Sequence, residues 1–209
     1  NYNNVEKILK ELNNERGLGV VYNNKANALT QMDSMSNHLS EAEKFFNLAI
    51  GNALSLLDNA EIESNNQFSE TVEFFKITLA NRYDNLGHYY FVCGQYDKAL
   101  ENHDKAINLH MSSDKKLGEM QAYGNKGLVY MELNRAEEAE KMFKEAYLVA
   151  TDRYNQNMHE NESAVRKNVE LLQYASMNMG LHYAKMKKID EARQYLNYTL
   201  TLTKTIHIN

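Results

Sequence analysis

Seven histidines, one cysteine and three regularly placed asparagines are the side chains in this sequence whose chemistry depends on their neighbours. A metal ion held on a helix needs ligands one turn apart, as in a His pair at i and i+4. His38, His88, His103, His110, His159, His182 and His207 are scattered, and the nearest pair, His103 and His110, stands nearly two helical turns apart. No cysteine or carboxylate completes a set around them, so no metal or other cofactor is expected. Cys93 closes the aromatic run YYFVC and has no partner for a disulfide, which fits a packing role and a reducing compartment. The stretch GLGVVYNN contains GxG but lacks a third glycine and a preceding strand, so it is not read as a phosphate cradle. No catalytic dyad emerges, and the chain is read as a non-enzyme.

The asparagines are more regular. Asn85, Asn125 and Asn178 each stand two places before a glycine, Gly87, Gly127 and Gly180. If those glycines face a neighbouring helix, a side chain two places earlier is turned about 200° away, onto the open face. Asparagine is frequent everywhere here, and the corresponding place near the start is Gly17, so the residue type carries little weight alone. The same geometry puts Asn81, Asp84 and His88, then Gln121, Gly124 and Leu128, then Tyr174, Met177 and Leu181 on that face.

The elements that must carry these residues follow from periodicity. In NRYDNLGHYYFVCGQYDKALENHDKAINLHM, residues 81–111, the landmarks Tyr83, Leu86, Gly87, Tyr90, Gly94, Tyr96, Ala99 and Ala106 describe two helices joined by a turn. A glycine inside a helix costs roughly 1 kcal/mol relative to alanine, so a close helix–helix approach must offset it, and Gly87 is expected to face Ala99. The pattern recurs at Tyr123, Gly127, Tyr130, Ala139, Phe143 and Ala146, with Gly87 to Gly127 and Ala99 to Ala139 equally spaced. Leu18, Gly19, Tyr22, Ala42, Phe46 and Ala49 form an earlier copy, extended at its turn. Met179, Gly180, Tyr183, Ile189, Ala192 and Leu196 form a later one, its extra residues assigned to longer helices. Val5, Ile8, Leu9 and Leu12 mark a short leading helix that looks like the second half of a preceding hairpin. The stretches DSMSNHLS, NAEIESNN and TDRYNQNMHENES read as polar connections.

Composition agrees. Of 209 residues 43% are hydrophobic and 24% charged, and proline is absent, which uninterrupted helices permit. A net charge of −5 disfavours a nucleic-acid or acidic-lipid surface. No apolar run reaches the roughly 20 residues that a membrane helix needs, and no basic-then-apolar leader opens the chain. Asn1 in place of methionine suggests a piece of a longer protein.

The aromatic, Leu-Gly, Tyr, small, aromatic, Ala series over two helices resembles the tetratricopeptide repeat. The match is specific for the two middle copies and looser for the outer two. Departures are His103 where an aromatic is usual, Met111 where proline is frequent, Lys126 for leucine, Glu15 and Ser176 at the first aromatic position, and Thr199 for the last alanine. The period of about 40 residues looks like the repeats of mitotic-orientation adaptors and kinesin light chains rather than the chaperone type of about 34 residues.

The resemblance implies an all-α, right-handed superhelical array of antiparallel hairpins forming one domain over 1–209. Its expected parts are a leading helix at about 4–13 and repeats at about 15–58, 67–111, 115–157 and 162–206. It also implies a cytoplasmic scaffold or adaptor that holds an extended peptide or partner subunit in its groove through Asn81, Asn85, His88, Gln121, Asn125, Leu128, Tyr174, Asn178 and Leu181. Only Arg16 and Lys185 could serve a carboxylate clamp, so an acidic chaperone tail is disfavoured as partner. Two alternatives are a sensor portion of a larger signalling enzyme and a structural subunit of a cytoskeletal or ciliary assembly.

Overall fold

A computed structural model describes residues 2–32, 38–65, 69–112, 117–157 and 159–207. Among these residues the chain forms nine α-helices and no strand. They are α1 (Tyr2–Glu11), α2 (Glu15–Met32), α3 (His38–Glu63), α4 (Glu70–Val92), α5 (Tyr96–Met111), α6 (Leu117–Glu132), α7 (Ala136–Gln156), α8 (Glu162–Lys185) and α9 (Ile189–His207). Helices α2 to α9 pair in chain order as four hairpins. The chain divides into two compact units, Asn1–Gly118 and Glu119–Asn209.

The turns share one stereochemistry. Asn13, Gly94, Asn134 and Lys187 lie in the left-handed region, at φ 49, 71, 56 and 59°. The N–H of the next residue then reaches back five places: Asn14 to Leu9, Gln95 to Tyr90, Arg135 to Tyr130 and Lys188 to Tyr183, each at 2.9 Å. These bonds satisfy carbonyls that a helix end would otherwise leave bare, which is why such short links stop one helix and start the next.

Behind three of these turns a glycine on the first helix leaves room for a large side chain of the second. A Cβ at Gly87 would lie 2.7 Å from the His103 ring, whose atoms stand nearest to it. Gly127 faces the Phe143 ring at 2.6 Å and Gly180 faces Leu196 at 2.7 Å by the same measure. His103, Phe143 and Leu196 hold the same place in their repeats, one turn of helix beyond Ala99, Ala139 and Ala192. A whole ring or branched side chain therefore fills the space that each glycine leaves.

Parts of the stretches expected as polar connections are helical, residues 38–40 and 59–63 in α3 and 151–156 in α7. Helix α2 continues from Gly19 to Met32, whereas α4 ends at Val92, little more than a turn beyond Gly87, so much of the extension in the first copy lengthens a helix. Asp33 to Asn37 of DSMSNHLS lie outside the described residues. Helix α7 likewise runs to Gln156, because Tyr154 packs on the cluster of Met120, Ala146, Val169 and Leu172, and one buried face suffices to hold a polar-looking helix. Helices α7 and α8, at 21 and 24 residues against 16 residues each for α5 and α6, absorb the extra length of the last copy.

In the first unit the core holds Phe46, Leu79, Leu86 and Tyr89, with the Phe46 and Tyr89 rings 5.7 Å apart. The second unit has a further cluster of Ala139, Phe143, Met179, Tyr183 and Ala192.

Candidate functional site

The face singled out by sequence belongs to the first helix of each hairpin. In the first unit α2 and α4 lie side by side, and the Asn85 amide donates to Asn23 Oδ1 at 3.0 Å. Asn81 and His88 are exposed on either side of that bond along α4, and the His88 ring stacks 6.2 Å from Phe91. The half-buried Asn85 thus ties two helices together as well as bordering the open face. Asp84, expected on the same face, turns the other way: it is 9% exposed, with Oδ1 at 2.7 Å from His103 Nδ1. The same helix carries Arg82, buried at 4%, whose guanidinium donates to the Ala49 carbonyl and to Asn52 Oδ1. The Asn52 amide in turn donates to the Glu15 carboxylate at 2.9 Å, so one amide links a buried cation to an exposed anion across α2, α3 and α4.

In the second unit α6 and α8 meet through Gly124. A Cβ there would lie 3.2 Å from the Tyr174 ring and 3.5 Å from the Asn178 amide, so the missing side chain admits both. Tyr174 Oη donates to Asn125 Oδ1 at 3.5 Å. Asn125, Tyr174 and Asn178 therefore come together. Asn178 is wedged between the helices at 4% exposure, its Nδ2 making no hydrogen bond among the described residues, and this corrects its expected position on the open face. A turn of about 200° is measured about one helix axis, and a neighbouring helix can still cover that direction. Gln121, Met177 and Leu181 are exposed, while Leu128 is half-buried over the Phe143 cluster.

Sequence reasoning missed a second recurring device. Tyr90 Oη donates to Glu43 at 2.7 Å and Tyr183 Oη to Glu140 at 3.1 Å, each reaching the second helix of the preceding hairpin within its own unit. The signal was present: a glutamate directly follows the landmark alanines Ala42 and Ala139, where Ala99 is followed by Leu100. Burial pushes the Tyr183 hydroxyl up to about 12, so it remains a donor at every ordinary pH.

Glu140 also accepts from Lys144 at 2.7 Å and has Lys188 and His182 at 3.7 Å, and the Lys144 hydrogen bond foremost holds its carboxyl down at about 2. A carboxyl whose folded value is depressed stabilises the fold above its unfolded value and ceases to do so as pH falls through the folded one. Stability is therefore expected to drop between about pH 4.5 and 2, by on the order of 1–2 kcal/mol once solvent screening of Lys144 is counted. Urea titrations at stepped pH would show that drop in the native chain and a flattened profile in Glu140→Gln.

Among the described residues no group of three or more His, Cys, Asp or Glu could hold a metal ion, and no helix is long and apolar enough to cross a membrane. Residues 78–152 match the family model described as tetratricopeptide repeat. The chain resembles the crystal structure of BtubC (BKLC) from P. vanneervenii at 14% identity and TM-score 0.53, covering 99% of this chain and 88% of that one. The TPR-like repeats of a kinesin light chain from Podosopora anserina align at 10% identity and TM-score 0.41, covering 90% of this chain and 95% of that one. No curated protein matches. The first of these likenesses supports the all-α hairpin fold.

Proposed function

We propose that this chain, whose residues 78–152 are tetratricopeptide-repeat sequence, is a non-catalytic protein-interaction scaffold that receives an extended peptide of a partner along the first helices of its hairpins. Protein interaction in general is what such repeats support. The observation carrying the finer reading is register. The side chains six places before and one after each glycine, Asn81 with His88, Gln121 with Leu128 and Tyr174 with Leu181, are exposed or half-buried in every case, and none is Lys, Arg, Asp or Glu.

Such a row of amides, rings and aliphatic side chains suits a peptide held by backbone hydrogen bonds and apolar side chains, without the cations an acidic tail would need. Asn85 and Asn125 border the row, and Asn178 supports it from beneath. The setting proposed with it is cytoplasmic, where Cys93 stays a thiol, and membership of a larger assembly is compatible with it.

The test selects peptides from a random displayed library on the native chain and measures their affinity by fluorescence anisotropy. Leu181→Glu and Gln121→Lys, both at exposed positions, are expected to weaken the selected peptides at least tenfold while leaving the melting temperature unchanged. Unchanged affinity in both variants would remove the binding role from this face.

A further inference from the structure

We infer that the row, where it runs along α2 and α4 of the first unit, ends in a recognition point for one acidic residue of the partner peptide, its carboxylate held by Arg16 and its apolar neighbours by Phe74 and Val20. The inference rests on the peptide-binding reading and adds which peptides the row prefers.

Helix α4 begins at Glu70, more than three turns before the landmark Tyr83, so its first residues lie outside the repeat pattern. Phe74 belongs to that extension. It stands seven places before Asn81, as Asn81 does before His88, and seven residues make close to two full turns, so the three share one face of α4. All three are exposed, Phe74 at 52%. On the neighbouring α2, Val20 follows Gly19 as His88 follows Gly87, and it is 54% exposed. Arg16 stands four places before Val20, on the same face of that helix.

The Arg16 guanidinium makes this point a receptor. Its central carbon lies 4.9 Å from the centre of the Phe74 ring and 5.0 Å from that of Phe75, and the two rings meet edge to face at 5.4 Å. An exposed arginine is ordinarily a loose chain, but two rings hold this one in place, so less freedom is lost when it binds. Its N–H groups make no hydrogen bond or ion pair among the described residues, and the adjacent Glu15 carboxylate is engaged by the Asn52 amide at 2.9 Å.

A planar fork of donors seated on an apolar platform matches a carboxylate, which accepts two N–H groups side by side. The first turn of α2, where Arg16 lies, adds the positive end of that helix. Glu70, one turn before Phe74 and exposed, opposes further negative charge. The point therefore suits a single carboxylate flanked by apolar side chains, not a run of acids and not the nearly doubled charge of a phosphate.

The probes are the peptides selected from the displayed library on the native chain, in which an acidic residue beside a large apolar one is expected to be enriched. A second selection on Arg16→Gln is expected to lose the acid and keep the apolar residues. In anisotropy titrations, exchanging the aspartate of a selected peptide for asparagine is expected to weaken binding to the native chain at least about fivefold and to leave binding to Arg16→Gln unchanged. Glu70→Gln is expected to tighten the acidic peptide about twofold. Both side chains are exposed, so both variants should melt as the native chain does. Peptides that bind without an enriched acid, or whose exchange matters as much in Arg16→Gln, would overturn this point and leave the groove reading standing. A phosphoserine peptide that binds tighter than its aspartate counterpart by about tenfold or more would overturn the carboxylate assignment. A library that yields no binder would overturn the groove reading and this point with it.

Discussion

Gly127→Leu is expected to lower the stability of the second unit by about 3 kcal/mol or more, the upper range for overpacking a dense core. The first added carbon alone would fall 2.6 to 2.9 Å from three atoms of the Phe143 ring. That ring is wholly buried in a cluster with Ala139, Met179 and Tyr183. Gly127→Ala tests the same contact more gently, because alanine regains about 1 kcal/mol of helix propensity while still meeting the ring. Phe143→Ala is expected to cost about 3–5 kcal/mol by leaving a cavity. The combination of Gly127→Ala with Phe143→Ala should cost less than the sum of the two by about 1 kcal/mol or more, since the alanine partly fills what the ring vacated. Urea unfolding followed by helical circular dichroism reads all four chains. Strict additivity would show that Gly127 and Phe143 do not share the joint.

The second large effect lies at the equivalent joint of the first unit, where the protein uses a different solution. His103 occupies the place of Phe143, and Asp84 the place of Gly124, one repeat earlier. The imidazole is fully buried against Gly87, and its Nδ1 is 2.7 Å from Asp84 Oδ1. Asp84→Ala removes that carboxylate and leaves a buried polar ring, at an expected cost of about 3 kcal/mol. His103→Phe restores the usual aromatic but takes the imidazole partner from a carboxylate that is 9% exposed, and is expected to cost about 2 kcal/mol. Changing both together should return stability to near that of the native chain, because a phenyl ring facing glycine with no buried charge is the arrangement the next repeat already uses. Thermal and urea unfolding would decide it. A double variant as unstable as the two losses combined would mean that the site is not interchangeable between repeats.

Much of the architecture is legible along the chain because a hairpin is a local object. Periodic apolar residues, absent proline and the equal spacing from Gly87 to Gly127 and from Ala99 to Ala139 are enough to mark helices and turns. The length of the polar-looking helices was not legible. Residues 151–156 carry few apolar side chains, and only the docking of Tyr154 onto a neighbouring cluster shows why they stay helical. The candidate face was legible in part. Asn81, His88, Gln121 and Leu181 are exposed as their spacing requires, whereas Asn178 and Asp84 are covered, because spacing tells which way a side chain leaves its own helix and not what stands in its path.

Residue order by itself determined the all-helical class, the hairpin register and the identity of the landmark glycines, all of which depend on contacts within a few turns. Tertiary structure decided what meets those glycines: a ring or a leucine from the second helix of the same hairpin, and at Gly124 a tyrosine and an asparagine from α8. It also decided that Tyr90 reaches Glu43 and Tyr183 reaches Glu140. Those pairings depend on how one helix is rotated and displaced against the next, and that rotation is set by the joint packing of many side chains, so no single stretch of sequence displays it.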